Sequence, residues 1–403
     1  MDLPPSPALT ERKIGAALAA AARADIAPFI VMDVMRAAAA REAAGERVIH
    51  MEVGQPATPA PKAARQRVIS AMERENLGYT VALGMPELRA RISGLYRSWY
   101  GLEIDPGRIV VTSGSSAAFV LAFLALFDVG TTVGLPSPGY PCYRHILTAL
   151  GVQSHLIETT ADARWMPTAA QIDAASVQHR LKGLLLASPN NPTGTMLSPE
   201  RLADIIGVCR RHGLWFISDE IYHGLTWGVP QDTALRYSAD AIVINSFSKY
   251  FSMTGWRVGW MVVPENLVRT VERLAQNLYI CPPAIAQVAA LGAFDGIDEL
   301  EGNRRVYAAN RELLLAEFPK AGLSKLVPAD GAFYLYADVG AYTSDSLAFT
   351  KLMLEETGVA ATPGLDFDPA RGGQFVRFSY AGATSEMAEA AHRLRHWPRL
   401  GGG

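Results

Sequence analysis

Cysteine is scarce in this chain: three in 403 residues, Cys142, Cys209 and Cys281, odd in number and far apart. Without CxxC spacing they provide neither a disulfide framework nor a metal ligand set, so unpaired thiols in a reducing compartment are expected, and no metal. A surplus of positive charge is also missing. Lys and Arg number 37 against 39 Asp and Glu, a formal net charge of −2, whereas a nucleic-acid or anionic-membrane surface would need a basic excess. No apolar run reaches the ~18–20 residues of a spanning helix. The amino-terminal MDLPPSPALTERKIG carries acids and three prolines and lacks the basic-then-apolar order of a secretory signal. No repeat of fixed period occurs, and low complexity is confined to alanine-rich stretches near 16–24 and 37–44. These absences exclude nucleic-acid and membrane partners and leave the cytoplasm as the default.

What is present describes an ordinary globular protein, 49% hydrophobic and 19% charged. Its length calls for two domains, or one large α/β domain with an appendage. Seven short runs are apolar throughout: RIVVT (108–112), TVGL (132–135), SHLIE (154–158), GLLLA (183–187), LWFIS (214–218), AIVIN (241–245) and VGWMVV (258–263). Such runs fit strands covered on both faces. Helical stretches separate several of them, as in SPERLADIIGVCRRHG (198–213), where Ser198 can cap the start, Pro199 suits the first turn and Gly213 can end the helix. An amphipathic helix is also expected in IGAALAAAARADIA (14–27). The alternation predicts an α/β fold whose large domain holds a mainly parallel seven-stranded sheet flanked by helices. After about residue 290 the texture changes to a long charged helix (297–318), GAFYLYADV, SLAFTKLMLEETG and FVRFSYA. The expected division is a large domain at 56–289 and a smaller α+β domain built from 1–55 and 290–403.

In an open α/β sheet, ligands collect beyond the carboxyl ends of the strands. There the chain offers SGSSAA (113–118), PSPGYPCY (136–143), SPNNPTG (188–194), then Asp219, Glu220 and Tyr222, and finally Ser246, Ser248 and Lys249. Taken singly each has a plain reading. A serine-rich turn caps helices, a proline turn punctuates, an aspartate caps, a tyrosine fills a core, and a lysine snorkels to the surface. Their joint order is what those readings leave unexplained.

SPNNPTG, SDEIY (218–222) and SFSKYFSMTGWRVGW (246–260), in that order and spacing, resemble the pyridoxal-phosphate-dependent class I/II aminotransferases of fold type I. The likeness runs from VGQP (53–56) to VRFSYA (376–381). The resemblance implies pyridoxal 5′-phosphate as cofactor, with Lys249 as the lysine that forms the internal Schiff base. Asp219 would pair with the pyridine nitrogen. Tyr222 and Asn191 would hydrogen-bond the ring's phenolic oxygen, and Tyr140 would stack on the ring face. Ser115, Ser116, Ser246 and Arg257 would cradle the phosphate, with Ser248 beside them. Tyr79 would reach the phosphate from a partner subunit, implying a homodimer with shared active sites. Arg377 would fork onto the substrate α-carboxylate, and Gly54 would approach the substrate with its backbone. Asn190, next to Asn191, makes the ring contact depend on register; Asn191 is taken because it directly precedes PTG.

The implied reaction needs these residue types. A lysine nucleophile must be neutral part of the time, which burial and nearby cations favour. A guanidinium recognises a carboxylate through two parallel bonds. The expected activity is transfer of an amino group from an amino acid to a 2-oxo acid; the alternatives are a β-lyase acting on a carbon–sulfur bond and a cyclopropane-forming synthase, which share the cofactor residues. A DNA-binding regulator on this fold would need a basic recognition helix that the first fifty-odd residues do not show. Arg36, Arg144 and Arg273 stand out by sequence as arginines without a place, while His145, Glu220 and His223 read as packing or helix-start residues. The aromatics Tyr140, Trp227 and Trp256 point to a neutral or hydrophobic amino acid as substrate.

Overall fold

A computed structural model of the chain describes residues 20–401. The seven apolar runs form one sheet, in spatial order Ile109–Thr112, Gly259–Val262, Ile242–Ser246, Trp215–Asp219, Gly183–Ala187, Thr132–Ser137 and Gln153–Glu158. Gly259–Val262 runs antiparallel to both neighbours, and every other pairing is parallel. Each strand lies within two residues of its expected bounds. The reason is visible in how the side chains divide. Leu184, Leu186 and Val243 enter one hydrophobic cluster, whereas Leu185, Ile242 and Ile244 enter the other. Successive residues of a strand point to opposite faces, so a sheet covered by helices on both sides requires unbroken apolar runs. Each such side chain removed from water contributes roughly 1.5–3 kcal/mol.

The helix Pro199–His212 has its expected ends: Ser198 Oγ accepts from the Arg201 amide at 3.3 Å, and Gly213 takes a left-handed φ of 63°. A second layer carries two small sheets. Ile49–His50 pairs with Val359–Ala360, and the strand Phe375–Ser379 lies antiparallel between Thr362–Pro363 and Tyr334–Asp338. The helices Ile297–Glu317 and Thr384–Arg395 pack together in this layer.

One expectation fails at the amino end. Residues 14–19 of the predicted amphipathic helix lie outside the described residues, and in 20–27 the only helical feature is a 3₁₀ turn at Ala22–Ala24. Residues 20–28 are all exposed, so no apolar face is buried there to stabilise a short helix. Pro28 also holds the preceding residue out of helical geometry. The helix begins beyond it, at Ile30–Ala43.

Candidate active site

Residues following five strand ends converge on one cavity of about 500 Å³. Ser115, Ser116, Tyr140, Asn191, Asp219, Tyr222, Ser248, Lys249 and Arg257 line it, and the second layer adds Gly54 and Arg377. The half-buried Lys249 donates from Nζ to the Gly54 carbonyl oxygen. Burial first, then the positive charges of Arg377 and Arg257, lower the Lys249 amine to about 7, with Asp219 acting in the opposite direction. An amine so placed spends much of its time neutral at physiological pH, as a nucleophile or base requires.

Asp219 ends its strand with 2% of its surface exposed. Its Oδ1 accepts from the Ile221 amide at 3.1 Å, and its Oδ2 accepts from the Tyr143 hydroxyl. Burial pushes its carboxyl up to about 6, against these two bonds and the Lys249 charge. A carboxylate of that kind gains from a cationic partner in the cavity. Tyr222 and Tyr334 bring their hydroxyls to 2.6 Å of each other.

Arg377 sits on the central strand of its small sheet with its guanidinium buried. Nη1 donates to Asn191 Oδ1 at 2.8 Å, and Nη2 donates to the Glu52 carbonyl and to Thr362 Oγ1, the latter at 3.1 Å. The rings of Tyr334 and Phe367 pack on it, with centroids 4.4 and 4.7 Å from Cζ. Nε is buried without a hydrogen-bond partner among the described residues. Asn190 faces elsewhere: its Nδ2 donates to the Pro138 carbonyl and to Thr193 Oγ1, holding the turn.

The opposite end of the cavity is built for an anion. Gly114 precedes the helix Ser115–Leu126, whose first turn supplies N–H groups without intrahelical partners and the positive end of the helix dipole. Gly114 has φ +79°, and a Cβ there would lie 2.3 Å from Arg257 Nη2, so only glycine lets the guanidinium approach. Ser248 lies beside it. Ser246 does not itself line the cavity; its Oγ is 2.8 Å from Ser248 Oγ and accepts from the Ser248 amide at 3.1 Å. Tyr79 lies outside the cavity and is 85% exposed.

Several cavity residues escaped the sequence reading: Tyr143, Tyr334 and an apolar wall of Phe29, Val31, Met32 and Met35. The wall is held by Asp366, whose carboxylate accepts from the Ile30 and Val31 amides, both at 3.2 Å, and so caps the helix Ile30–Ala43 from across the chain. Spacing of aromatics could have suggested Tyr143, three positions after Tyr140, but nothing local marks Asp366. Of the three aromatics taken as pocket indicators, only Tyr140 lines the cavity. Trp227 is turned away, donating to the Ala332 carbonyl and the Tyr380 hydroxyl, and Trp256 lines an adjoining depression that shares Gln55, Thr254 and Gly255 with the cavity.

The unplaced arginines lie elsewhere. Arg36 pairs with Asp33, Arg144 donates to the Asp366 carbonyl and Arg273 is exposed. Glu220 and His223 form a buried polar cluster behind Asp219, where Glu220 accepts from Ser218, Thr233 and the Ala234 amide, and His223 bonds Tyr100 and the Ser188 carbonyl. His145 is half-buried on the helix Pro141–Ala149.

Comparison with known proteins agrees with this geometry. The family described as aminotransferase class I and II matches residues 46–394. The valine–pyruvate aminotransferase of Mycobacterium tuberculosis is 48% identical over 381 residues, covering 94% of this chain and 98% of the relative. The crystal structure of an aminotransferase from Mycobacterium tuberculosis superimposes with a TM-score of 0.91 at 48% identity, covering 93% of this chain and 98% of that one. Aspartate aminotransferase from Thermus thermophilus with maleate gives a TM-score of 0.88 at 28% identity, again over 93% and 98%. The chain thus belongs to the class I and II aminotransferases and moves an amino group from an amino acid to a 2-oxo acid.

Proposed function

We propose that the chain carries out this transfer with pyridoxal 5′-phosphate held in the cavity, taking a neutral aliphatic amino acid as donor and a short 2-oxo acid such as pyruvate as acceptor. The observation that carries the reading is Lys249, an amine held near neutrality among Asp219, Arg377 and Arg257. The residues present fit the cofactor: a buried carboxylate for a ring nitrogen, and an anion cradle that a Cβ at Gly114 would fill. Lys249 would bind it, Asp219 would pair with the ring nitrogen, Tyr222 and Asn191 would face the phenolic oxygen, and Tyr140 would cover the ring. Ser115, Ser116, Ser248 and Arg257 would hold the phosphate, with Ser246 behind them bonded to Ser248. When bound, the group supplies a ring that accepts electron density released at the substrate α-carbon.

The chain's own residues do the rest. Arg377 orients the donor through its α-carboxylate, with Asn191, Thr362 and the Glu52 carbonyl fixing the guanidinium. Gly54 presents backbone to the substrate, and the Lys249 amine, lowered to about 7 and so in part neutral at that pH, takes and returns the α-proton. Phe29, Val31, Met32 and Met35 give an apolar surface to an aliphatic side chain, and the valine–pyruvate name of the Mycobacterium tuberculosis relative supports the same substrate class.

A cytoplasmic homodimer belongs to the same proposal, with Tyr79 reaching the phosphate of the second copy. Tyr79 and Val81 are exposed beside Tyr279 and Ile280, tied by the Thr80 amide donating to Cys281 Sγ at 3.4 Å; contiguous apolar exposure marks an association surface. The three cysteines are unpaired, which suits a reducing compartment, and no helix among the described residues is long and apolar enough to cross a membrane. We also assign 56–289 to the large domain and 1–55 with 290–403 to the small one, residues 1–19, 402 and 403 lying outside the described ones; the two separate small sheets support this division.

The test is a titration of cofactor-stripped protein with pyridoxal phosphate, followed by a donor panel with pyruvate. A visible absorbance band should form in the wild type and not in Lys249→Ala, whose transamination should fall by about 10³-fold or more. Valine and its aliphatic neighbours should outrun aspartate. An unchanged band in Lys249→Ala, or a preference for aspartate, would overturn the proposal.

A further inference from the structure

Tyr334 belongs to no motif of the sequence reading, yet its hydroxyl ties three chain segments together at the cavity. It lies 2.6 Å from the Tyr222 hydroxyl, and it occupies the space beside Gly54, where an ideal Cβ would fall 1.8 Å from the Tyr334 oxygen. The residue is 1% exposed, and its ring stands edge-on to those of Tyr222 and Phe333, which leaves the hydroxyl little freedom. Gly54 is the residue whose carbonyl accepts from Lys249 Nζ.

We propose that Tyr334 is a positioning residue for the reacting amine: its hydroxyl holds the Tyr222 phenol on one side and, by packing against the Cα of Gly54, sets the place of the carbonyl that holds Lys249 on the other. This rests on the reading of Lys249 as the reacting amine. Two phenols at that distance share one hydrogen bond, so removing either hydroxyl leaves the other buried without it. A side chain at Gly54 must displace either Tyr334 or the backbone that carries the carbonyl. A carbonyl accepting from an ammonium favours its charged form. The other groups acting on Lys249 are Arg377 and Arg257, which oppose the charge, and Asp219, which favours it; Tyr222 faces it through the ring. All of these side chains are kept in the variants below, although Tyr334→Phe also takes the hydrogen bond from Tyr222, whereas its ring still packs on Arg377.

Tyr334→Phe, Gly54→Ala and the double variant would be made in the full-length chain and stripped of cofactor. The first measurement is the rate at which pyridoxal phosphate with borohydride traps Lys249, followed against pH. Tyr334→Phe should move the midpoint to lower pH by about half a unit or more, because the ammonium loses a firmly placed acceptor. The second is thermal unfolding without cofactor. Gly54→Ala should lower the midpoint by several degrees, and the double variant should regain part of that loss, since the 1.8 Å collision with the hydroxyl goes while ring carbons at 2.8 and 3.0 Å remain, and neighbours that collide are not additive. A trapping profile of Tyr334→Phe that superimposes on the wild type, or a Gly54→Ala loss equal in both backgrounds, would overturn the assignment. Wild-type protein that is not trapped at Lys249 at all would instead sink the proposed function.

Discussion

Asn191 accepts a 2.8 Å hydrogen bond through Oδ1 from Arg377 Nη1, although 186 residues separate the two. The pair joins the turn after Gly183–Ala187 to the central strand of a small sheet. It also fixes which end of the amide is left as donor toward the cavity: Oδ1 is committed to the guanidinium, so Nδ2 is the end that can donate.

Asn191→Ala should therefore impair two functions at once. Arg377 already has Nε buried without a partner among the described residues, and the substitution would strip Nη1 of its bond as well. Loss of a hydrogen bond to a charged group costs about 1.5–3 kcal/mol, roughly 10- to 150-fold in kcat/KM. Steady-state kinetics with an aliphatic donor should show this as a raised KM, and affinity for pyridoxal phosphate should weaken in parallel. Intact affinity for both would rule out the contact as a functional one.

Gly114→Ala tests the anion end. The added Cβ would meet Arg257 at 2.3 Å in a backbone with φ +79°, and strain at such a position is on the order of 1–3 kcal/mol. Cofactor affinity, measured by equilibrium dialysis, should drop by about tenfold or more, with the donor KM of fully loaded protein little changed. A normal affinity would mean that Arg257 does not hold the phosphate.

Glu220 offers a prediction about stability and pH. Burial pushes its carboxyl up to about 8 from 4.5, against bonds from Ala234, Thr233 and Ser218, with Asp232 adding to the rise. Between those values the folded chain holds a proton that the unfolded chain has released, so this site's contribution is full below about pH 4.5 and is lost as pH rises toward 8. The slope is at most about 1.4 kcal/mol per pH unit for one proton. Glu220→Gln keeps an acceptor oxygen without the ionisation. Urea unfolding of cofactor-free protein should show Glu220→Gln gaining on the wild type steadily from pH 5 to pH 8. A constant difference across that range would refute the assignment.

The strands were legible because burial on both faces imposes unbroken apolar runs, and GLLLA agrees with the observed Gly183–Ala187 end to end. The cavity lining was legible where it follows a strand directly, as at Asp219 and Asn191. The amino-terminal helix does not extend through 20–27 because alanine-rich composition favours helix locally while only a buried face stabilises it, and residues 20–28 stay exposed. Trp227 lies off the cavity because an aromatic near a motif in sequence can point away from it in space, and Trp256 stands next to the cavity without lining it.

The amino-acid sequence by itself determined the strand runs, the helix ends at Ser198 and Gly213, and the residue types from which the cavity is made. These depend on neighbours a few positions away, through backbone propensity, capping and the alternation of faces. Only the tertiary structure decided that Tyr334 stands between Tyr222 and Gly54, that Asp366 caps the helix at Ile30, and that Asn191 rather than Asn190 meets Arg377. Each of those contacts joins segments that come together only when the small sheets settle over the carboxyl edge of the large one. Their partners are chosen by the packing of whole layers, which no local pattern encodes.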